Sequence, residues 1–439
     1  MLTVCIQRGI LSLERRMKTM LLQFSVSNYA SIKNEVLFSL VPSTDKAHPE
    51  NLIISGKYKA NAITAIYGAN ASGKSTLFKA MTNAIVFIRT SNLYQVGQRI
   101  PVVPYKFCDN PEDNPTKIEF SFIAEDGRKY VYGFSATVKA VLEEYLYCYK
   151  SAKASMVFER KGDSYVFSRG DKATLSPLTR MNTSNKLFLS TATVWNAAQT
   201  ITPFKWFADK IDTQTSLDTF AGQALEEYRI HKEDNIAFVI KLMKQADINI
   251  TDVSVETKEI KPQAVGGISF DGLVINNQII KPQTNYQAEI VTGHTITDES
   301  GMTRKYDLSL NEESMGSIQL FYFAPFLKRT LETGKVLMID EIDRSLHPFI
   351  VKFLINVFRN KEINRNGAQL IFTTHETTIL SLDTFRRDEV YFTEKNNDTG
   401  ITDLYALDDF AVRKDENIEK GYLIGRYGAI PFLQTEEIV

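Results

Sequence analysis

Cysteine is scarce in this chain: Cys5, Cys108 and Cys148 are the only three in 439 residues. They lie too far apart for the paired spacing of a zinc site or a disulfide framework, so they are expected to be reduced and structural. Histidine is nearly as rare. None of His48, His231, His294, His347 and His375 is four residues from another, which excludes a histidine-rich metal site. Long apolar runs are missing too. The best, Ile318 to Leu327, is broken by Gln319 and Pro325 and falls short of the ~20 residues a membrane helix needs. The apolar Met1 to Ile10 precedes Arg15, Arg16 and Lys18, the reverse of a secretory signal. These absences predict a cytoplasmic protein with no membrane span. Net charge is also lacking, at −1, so nothing draws the whole molecule to phosphate backbones; a nucleic-acid contact would need a local basic patch. Between Ser75 and Ser314 there are no sustained a/d heptads, which excludes long coiled-coil arms.

What is present is a globular composition, 44% hydrophobic and 23% charged, able to bury a large core in two or three lobes. Leu21 to Asn28 and Glu35 to Leu40 read as two short antiparallel strands, with Met20 a possible true start. The β-branched run Ala62 to Tyr67 reads as a buried strand entering a turn at Gly68, with a helix beginning near Gly73. Lys117 to Phe167 alternates as an antiparallel sheet. Ser184 to Ala246 reads as mostly helical, strands return after Ile250, and Gly266 to Asn285 reads as loops or a hairpin.

Gly68-Ala69-Asn70-Ala71-Ser72-Gly73-Lys74-Ser75, followed by Thr76, matches the G-x-x-x-x-G-K-[ST] phosphate loop and sits between a predicted strand and a predicted helix. Its glycines let backbone N–H groups turn inward around phosphate, Lys74 would bridge the β- and γ-phosphates, and Ser75 would ligate Mg²⁺. Lys335 to Ile339 is a second apolar strand that ends in Asp340-Glu341, adjacent carboxylates that are costly to bury without a cation or other partner. Such an ending is common by itself; paired with the loop it resembles a Walker B site, in which Asp340 holds the metal and Glu341 polarises the attacking water. A third strand, Gln369 to Thr373, leads to His375, the candidate sensor of the γ-phosphate, although a lone histidine is more often structural. Just upstream of the Asp-Glu strand, Ser314-Met315-Gly316-Ser317 precedes the apolar helical run. Taken alone, Ser314 would be a simple helix N-cap; in this motif order it resembles the Ser-x-Gly signature with which ABC-type ATPases grip the γ-phosphate of an opposite subunit.

Together these motifs resemble the ABC-type ATPases of the SMC/RecF/OLD group, and most closely the AAA-annotated ATP-binding proteins of bacterial phage-defence and abortive-infection loci. Flanking support comes from Phe24 to Ile32, Tyr145 to Tyr149 and Gly421 to Pro431, and the resemblance spans Met20 to Phe432. It implies an α/β fold: an ABC-type P-loop ATPase head with an antiparallel β lobe and a compact α/β insertion. The expected division is an N-terminal extension (1–19), an N-terminal ATPase lobe (20–183), a helical and α/β insertion (184–304) and a C-terminal ATPase lobe (305–439). His347 stands where transport ABC proteins carry the aspartate of their D-loop, so it is either a contact to the opposite subunit or structural. No Q-loop glutamine is identifiable, and Gln95 and Gln98 read as a solvated loop. Phe321, Tyr322, Phe323 and Phe326 read as core rather than a base-stacking platform. Asn360 to Arg365 and Arg386-Arg387 read as solvated helix ends, and Gly421, Gly425 and Gly428 as a turn segment or a docking motif.

The resemblance implies a Mg²⁺-dependent ATPase that assembles with itself as a homodimer or higher even-numbered assembly. It also implies a switch in anti-phage defence acting through a separate effector, a nuclease, because the sequence shows no nuclease, protease or TOPRIM-like acidic constellation. The alternatives are a RecF-like DNA-repair ATPase, which would show a basic groove, and the energy subunit of a transporter, which His347 and the large insertion disfavour.

Overall fold

The computed structural model describes residues 17–213, 220–260, 273–275, 278–280, 285–344 and 346–431. Cys5, most of the expected N-terminal extension, most of the stretch from Gly266 to Asn285, and Phe432 lie outside them. The chain divides into two compact units, residues 1–216 with 329–439, and residues 217–328.

The first unit holds two main sheets. Strands β1 (Met20–Ser27) and β2 (Val36–Ser39) pair antiparallel, as their alternation predicts. After the small hairpin β3 (Leu52–Ser55) and β4 (Tyr58–Asn61) comes β5 (Ile63–Tyr67), buried at all five positions. Helix α1 (Lys74–Thr90) follows the glycine loop. Strands β6 (Thr116–Ile123), β7 (Lys129–Ala136), β8 (Val141–Tyr149), β9 (Ser155–Lys161) and β10 (Ser164–Phe167) then join β1 and β2 in a seven-stranded antiparallel sheet, ordered β10-β9-β8-β7-β6-β1-β2. Helices α2 (Lys172–Leu175), α3 (Phe188–Val194) and α4 (Ala198–Asp209) complete this half of the chain. The buried carboxylate of Glu144 on β8 accepts from the first amides of α3, Phe188 N at 2.7 Å and Leu189 N at 2.9 Å, and so supplies the N-terminal cap that Leu187 lacks.

The second unit contains α5 (Phe220–Ile230), α6 (Lys232–Gln245), β11 (Asp252–Ile260), β12 (Leu273–Ile275), β13 (Gln278–Ile280), β14 (Asn285–Thr297) and β15 (Thr303–Ser309). Strands β11, β14 and β15 form a three-stranded antiparallel sheet in that order. Helix α7 (Met315–Thr333) begins here and carries the aromatic cluster. Phe321, Phe323 and Phe326 are buried, Phe321 stacked on Tyr228 and Phe326 against Phe220, so the cluster is core as expected.

Back in the first unit, β16 (Val336–Ile339), α8 (Pro348–Arg359), β17 (Gln369–Thr373), β18 (Val390–Lys395), β19 (Thr402–Ala406) and α9 (Ile418–Leu423) build around β5. The sheet order is β16-β17-β5-β18-β19, parallel except for β19. Parallel neighbours need a crossover, and α8 supplies it between β16 and β17. Pro348 at its first turn fits, since a missing N–H costs nothing there. Two side chains clip the sheets together: Gln369 accepts from Leu21 N at 2.7 Å and donates to the carbonyls of Leu21 and Asn61, both at 3.1 Å, and the Tyr391 hydroxyl on β18 accepts from Ser39 N at 3.1 Å and donates to Ser39 O at 2.9 Å. Gln369 does for β1 and β17 what a strand pairing would do. Among the described residues no helix exceeds 19 residues or is long and apolar enough to cross a membrane.

One sequence expectation is corrected here. Arg386 is not a solvated helix end; it is buried, paired with Asp388 at 2.7 Å, and donates to the carbonyls of Ala47 and Asp45. Its neighbour Glu389, at the foot of β18, is also buried. Its Oε2 accepts from Asn51 Nδ2 at 2.7 Å and Arg386 N at 2.9 Å, whereas Oε1 has no partner. Burial pushes its carboxyl up to about 8. A carboxyl raised in the folded state stabilises least once it must ionise, so its contribution falls as pH climbs from the unfolded value through 8. Glu389→Gln should therefore melt above wild type at pH 9 and by a smaller margin at pH 6, as read by thermal denaturation at both values.

Candidate nucleotide site

Three strands of the parallel sheet end side by side, and each delivers part of the site, as open α/β sheets do at the carboxyl ends of their strands. From β5 comes the glycine loop. A Cβ on Gly68 would lie 2.5 Å from Ser72 Oγ and Thr393 Oγ1, and one on Gly73, whose φ is 113°, would lie 2.4 Å from Thr402 Cγ2, so no other residue fits either place. The loop is pinned from behind: Ser72 Oγ bonds Thr393 Oγ1 at 2.6 Å, and Thr402 Oγ1 donates to Ser72 O at 3.0 Å. Asn70 and Ala71 are exposed, Ala69, Ser75 and Thr76 half-buried. Lys74 opens α1 and is 6% exposed, folded back so that Nζ donates to Gly68 O at 2.7 Å and Ala69 O at 3.1 Å. Burial lowers its ammonium to about 8, against the pull of Asp340, Glu341 and Asp343.

From β16 come Asp340 and Glu341, and from β17 comes the residue that fixes them. Thr373 Oγ1 donates to Asp340 Oδ1 at 2.6 Å and accepts from Glu341 N at 2.7 Å. Glu341 has φ of 55°, a left-handed conformation that a non-glycine residue holds only when its surroundings impose it. Ile342 N donates to Thr373 O at 3.0 Å, extending the same tie. Nothing in the sequence singles Thr373 out from the other residues of its strand.

His375 follows β17 on an exposed turn, its backbone N shared by the two carboxylate oxygens of Asp343 at 3.3 Å. Burial of the ring and the nearby Lys74 ammonium lower its basicity, while Asp343, Glu341 and Asp340 act in the opposite sense. Lys74, Asp340, Glu341, Asp343 and His375 thus share one electrostatic neighbourhood. Asp343 is a second residue without a sequence-assigned role.

Ser314 is exposed in the second unit and caps α7, with Oγ accepting from Ser317 N at 3.2 Å; Gly316 sits in that helix's first turn. His347 caps α8, Nδ1 accepting from Phe349 N at 3.3 Å, and its ring is exposed. Gln95 and Gln98 are exposed. Gly425 and Gly428 adopt positive φ in the turns after α9, where Tyr422 packs on Tyr67 and Phe392 behind the loop. A cavity of about 620 Å³ opens beside Ala69 to Ser72, between Thr393–Lys395 and Ala429–Pro431, but neither Asp340 nor Glu341 lines it.

A glycine loop at the foot of a helix, a buried lysine and a strand ending in two carboxylates define an ATP-binding α/β P-loop ATPase. The chain belongs to the family described as "AAA domain, putative AbiEii toxin, Type IV TA system", whose model matches residues 63–169 and 183–381. A search of curated proteins finds no match. Among solved structures, the SMC head domain from Thermotoga maritima is similar at 12% identity and TM-score 0.39, covering 88% of this chain and 98% of that one. The recombination mediator RecF with ATP is similar at 12% identity and TM-score 0.37, covering 89% and 100%. The Smc head from Pyrococcus furiosus with an extended coiled coil, bound to the C-terminal domain of ScpA, gives 14% identity and TM-score 0.35 over 93% and 99%. These are distant likenesses.

Thr373→Val keeps the shape of the side chain and deletes both hydrogen bonds. It should leave the fold and ATP binding intact and lower turnover by about 10- to 100-fold, the usual cost of losing a partner behind a reactive carboxylate. Thr373→Ser should recover most of it. Steady-state hydrolysis with parallel nucleotide-binding isotherms checks this.

Proposed function

We propose that this chain is a Mg²⁺-dependent ATP switch of a bacterial anti-phage defence system, which closes around ATP as a dimer and controls a separate effector, a nuclease. The observation that carries the reading is the convergence of Lys74, Asp340, Glu341 and His375 at adjacent strand ends, with the Asp-Glu pair held by Thr373. Every group to which a mechanism can be given serves nucleotide, which supports placing the biological chemistry in a partner. The family's description, which names a putative AbiEii toxin of a type IV TA system, supports the defence setting.

In this mechanism the amides of Gly68 to Thr76 cradle the phosphates, and Lys74 exchanges its two loop carbonyls for β- and γ-phosphate oxygens. Ser75 Oγ and the Asp340 oxygen not held by Thr373 are hard donors that suit Mg²⁺, which supplies charge neutralisation on the phosphates when bound. Glu341 accepts a proton from the attacking water, its backbone fixed by Thr373. His375 contacts the γ-phosphate, and its position is set by Asp343. Ser314 and Gly316 at the start of α7 reach the γ-phosphate of the opposite subunit, where a helix N-terminus favours an anion. His347, exposed before α8, meets the same partner.

Two variants separate binding from hydrolysis. Lys74→Ala should lose ATP binding, because the cation facing the phosphates is gone. Glu341→Gln should keep binding and lower turnover by at least about 100-fold, as removal of a general base does. Undiminished ATP affinity in Lys74→Ala, or full turnover in Glu341→Gln, would overturn the assignment.

A further inference from the structure

Strand β15 is exposed at all seven positions from Thr303 to Ser309, and among the described residues it pairs only with β14. Among the described residues its other edge is therefore unpaired, and an open edge is a template for another strand. Proteins discourage such pairing by placing lysine or arginine on the edge, and Arg304 and Lys305 would serve that purpose alone. Asp307, two residues along, changes the outcome.

The pairing with β14 fixes which peptides face outward. Asp298 N donates to Met302 O at 3.0 Å across the hairpin, so Arg304, Tyr306 and Leu308, in register with Ile296, His294 and Thr292, turn their peptides toward β14. Thr303, Lys305 and Asp307 turn theirs toward the open edge. The amide of Ser309 is already taken by Glu312 Oε2 at 2.8 Å, which ends the free edge.

We propose that this edge pairs antiparallel with the same edge of a second copy of this chain, centred on Tyr306. Outward peptides must meet outward peptides, so only a few registers are open. Centring on Lys305 sets lysine against its own copy, and centring on Asp307 does the same with aspartate; like charges directly opposite oppose pairing. Centring on Tyr306 sets Lys305 against the partner's Asp307 and Asp307 against the partner's Lys305, two cross-strand ion pairs on one face. The Lys305 and Asp307 peptides exchange hydrogen bonds, and Tyr306 meets its own copy at the close, non-hydrogen-bonded position. Tyr306 is 51% exposed, so the aromatic pair covers apolar surface now in water. Opposite Asp307 on β14 stands Gly293, and the Asp307 carboxylate lies over it: a Cβ on Gly293 would be 3.6 Å from Asp307 Oδ1. This two-fold contact is independent of nucleotide, and combined with an ATP-bridged dimer it yields an even-numbered assembly larger than two.

The test uses the full chain carrying Lys74→Ala, without nucleotide, so that ATP-driven association plays no part and its failure is scored separately. Sedimentation velocity over a concentration series should show a reversible dimer. Asp307→Lys should weaken it at least tenfold by setting lysine against lysine twice, and Lys305→Asp together with Asp307→Lys should restore it. Lys305→Pro removes an outward N–H while sparing the β14 ladder, and should also dissociate the dimer at unchanged melting temperature. A parent that stays monomeric throughout, a dimer indifferent to both charge reversal and proline, or a monomer whose edge takes up only an added extended peptide would overturn the proposal.

Discussion

One hydroxyl holds the candidate site in register. Thr373 Oγ1 gives its only proton to Asp340 and accepts the Glu341 amide, so a single atom on β17 holds the Asp340 carboxylate and the Glu341 backbone at the end of β16. The parallel pairing of β16, β17 and β5 then sets these residues relative to the glycine loop, because Ile339 pairs with Phe372 and Thr373 with Ile66. The left-handed backbone at Glu341, worth roughly 1–3 kcal/mol of strain, is retained because the two ties from Thr373 impose it.

Lys74 shows the complementary constraint. Its ammonium is buried and satisfied by two carbonyls of its own loop, which holds a cation in place beside three carboxylates. Under the proposed mechanism, nucleotide binding exchanges one set of oxygens for another around the same nitrogen. The loop need not be rebuilt, since Thr393 and Thr402 hold it from behind.

The legible parts of the sequence were those with local chemistry. The loop, the strand-end carboxylates and the alternation of the antiparallel sheet each leave a short-range mark: a glycine spacing, an Asp-Glu after an apolar run, a period of two. Thr373, Asp343 and Gln369 leave none, because their roles exist only once β16, β17 and β1 are brought together, and a lone threonine or glutamine in a strand reads as filler. Arg386 misled for the same reason; two consecutive arginines read as solvated, and only the fold supplies Asp388 and the carbonyls of Asp45 and Ala47 that bury one of them.

We propose that ATP is hydrolysed at a site completed by a second copy. Ser314 and Gly316 lie on a helix start in one compact unit and the glycine loop lies in the other, each with its own local structure satisfied. The decisive measurement mixes two inactive chains, one carrying Lys74→Ala and the other Ser314→Arg with Gly316→Asp. A head-to-tail pair of the two keeps one site with an intact loop and an intact signature, so hydrolysis should return on mixing. A mixture that assembles yet stays as inactive as each parent would contradict a shared site that works alone.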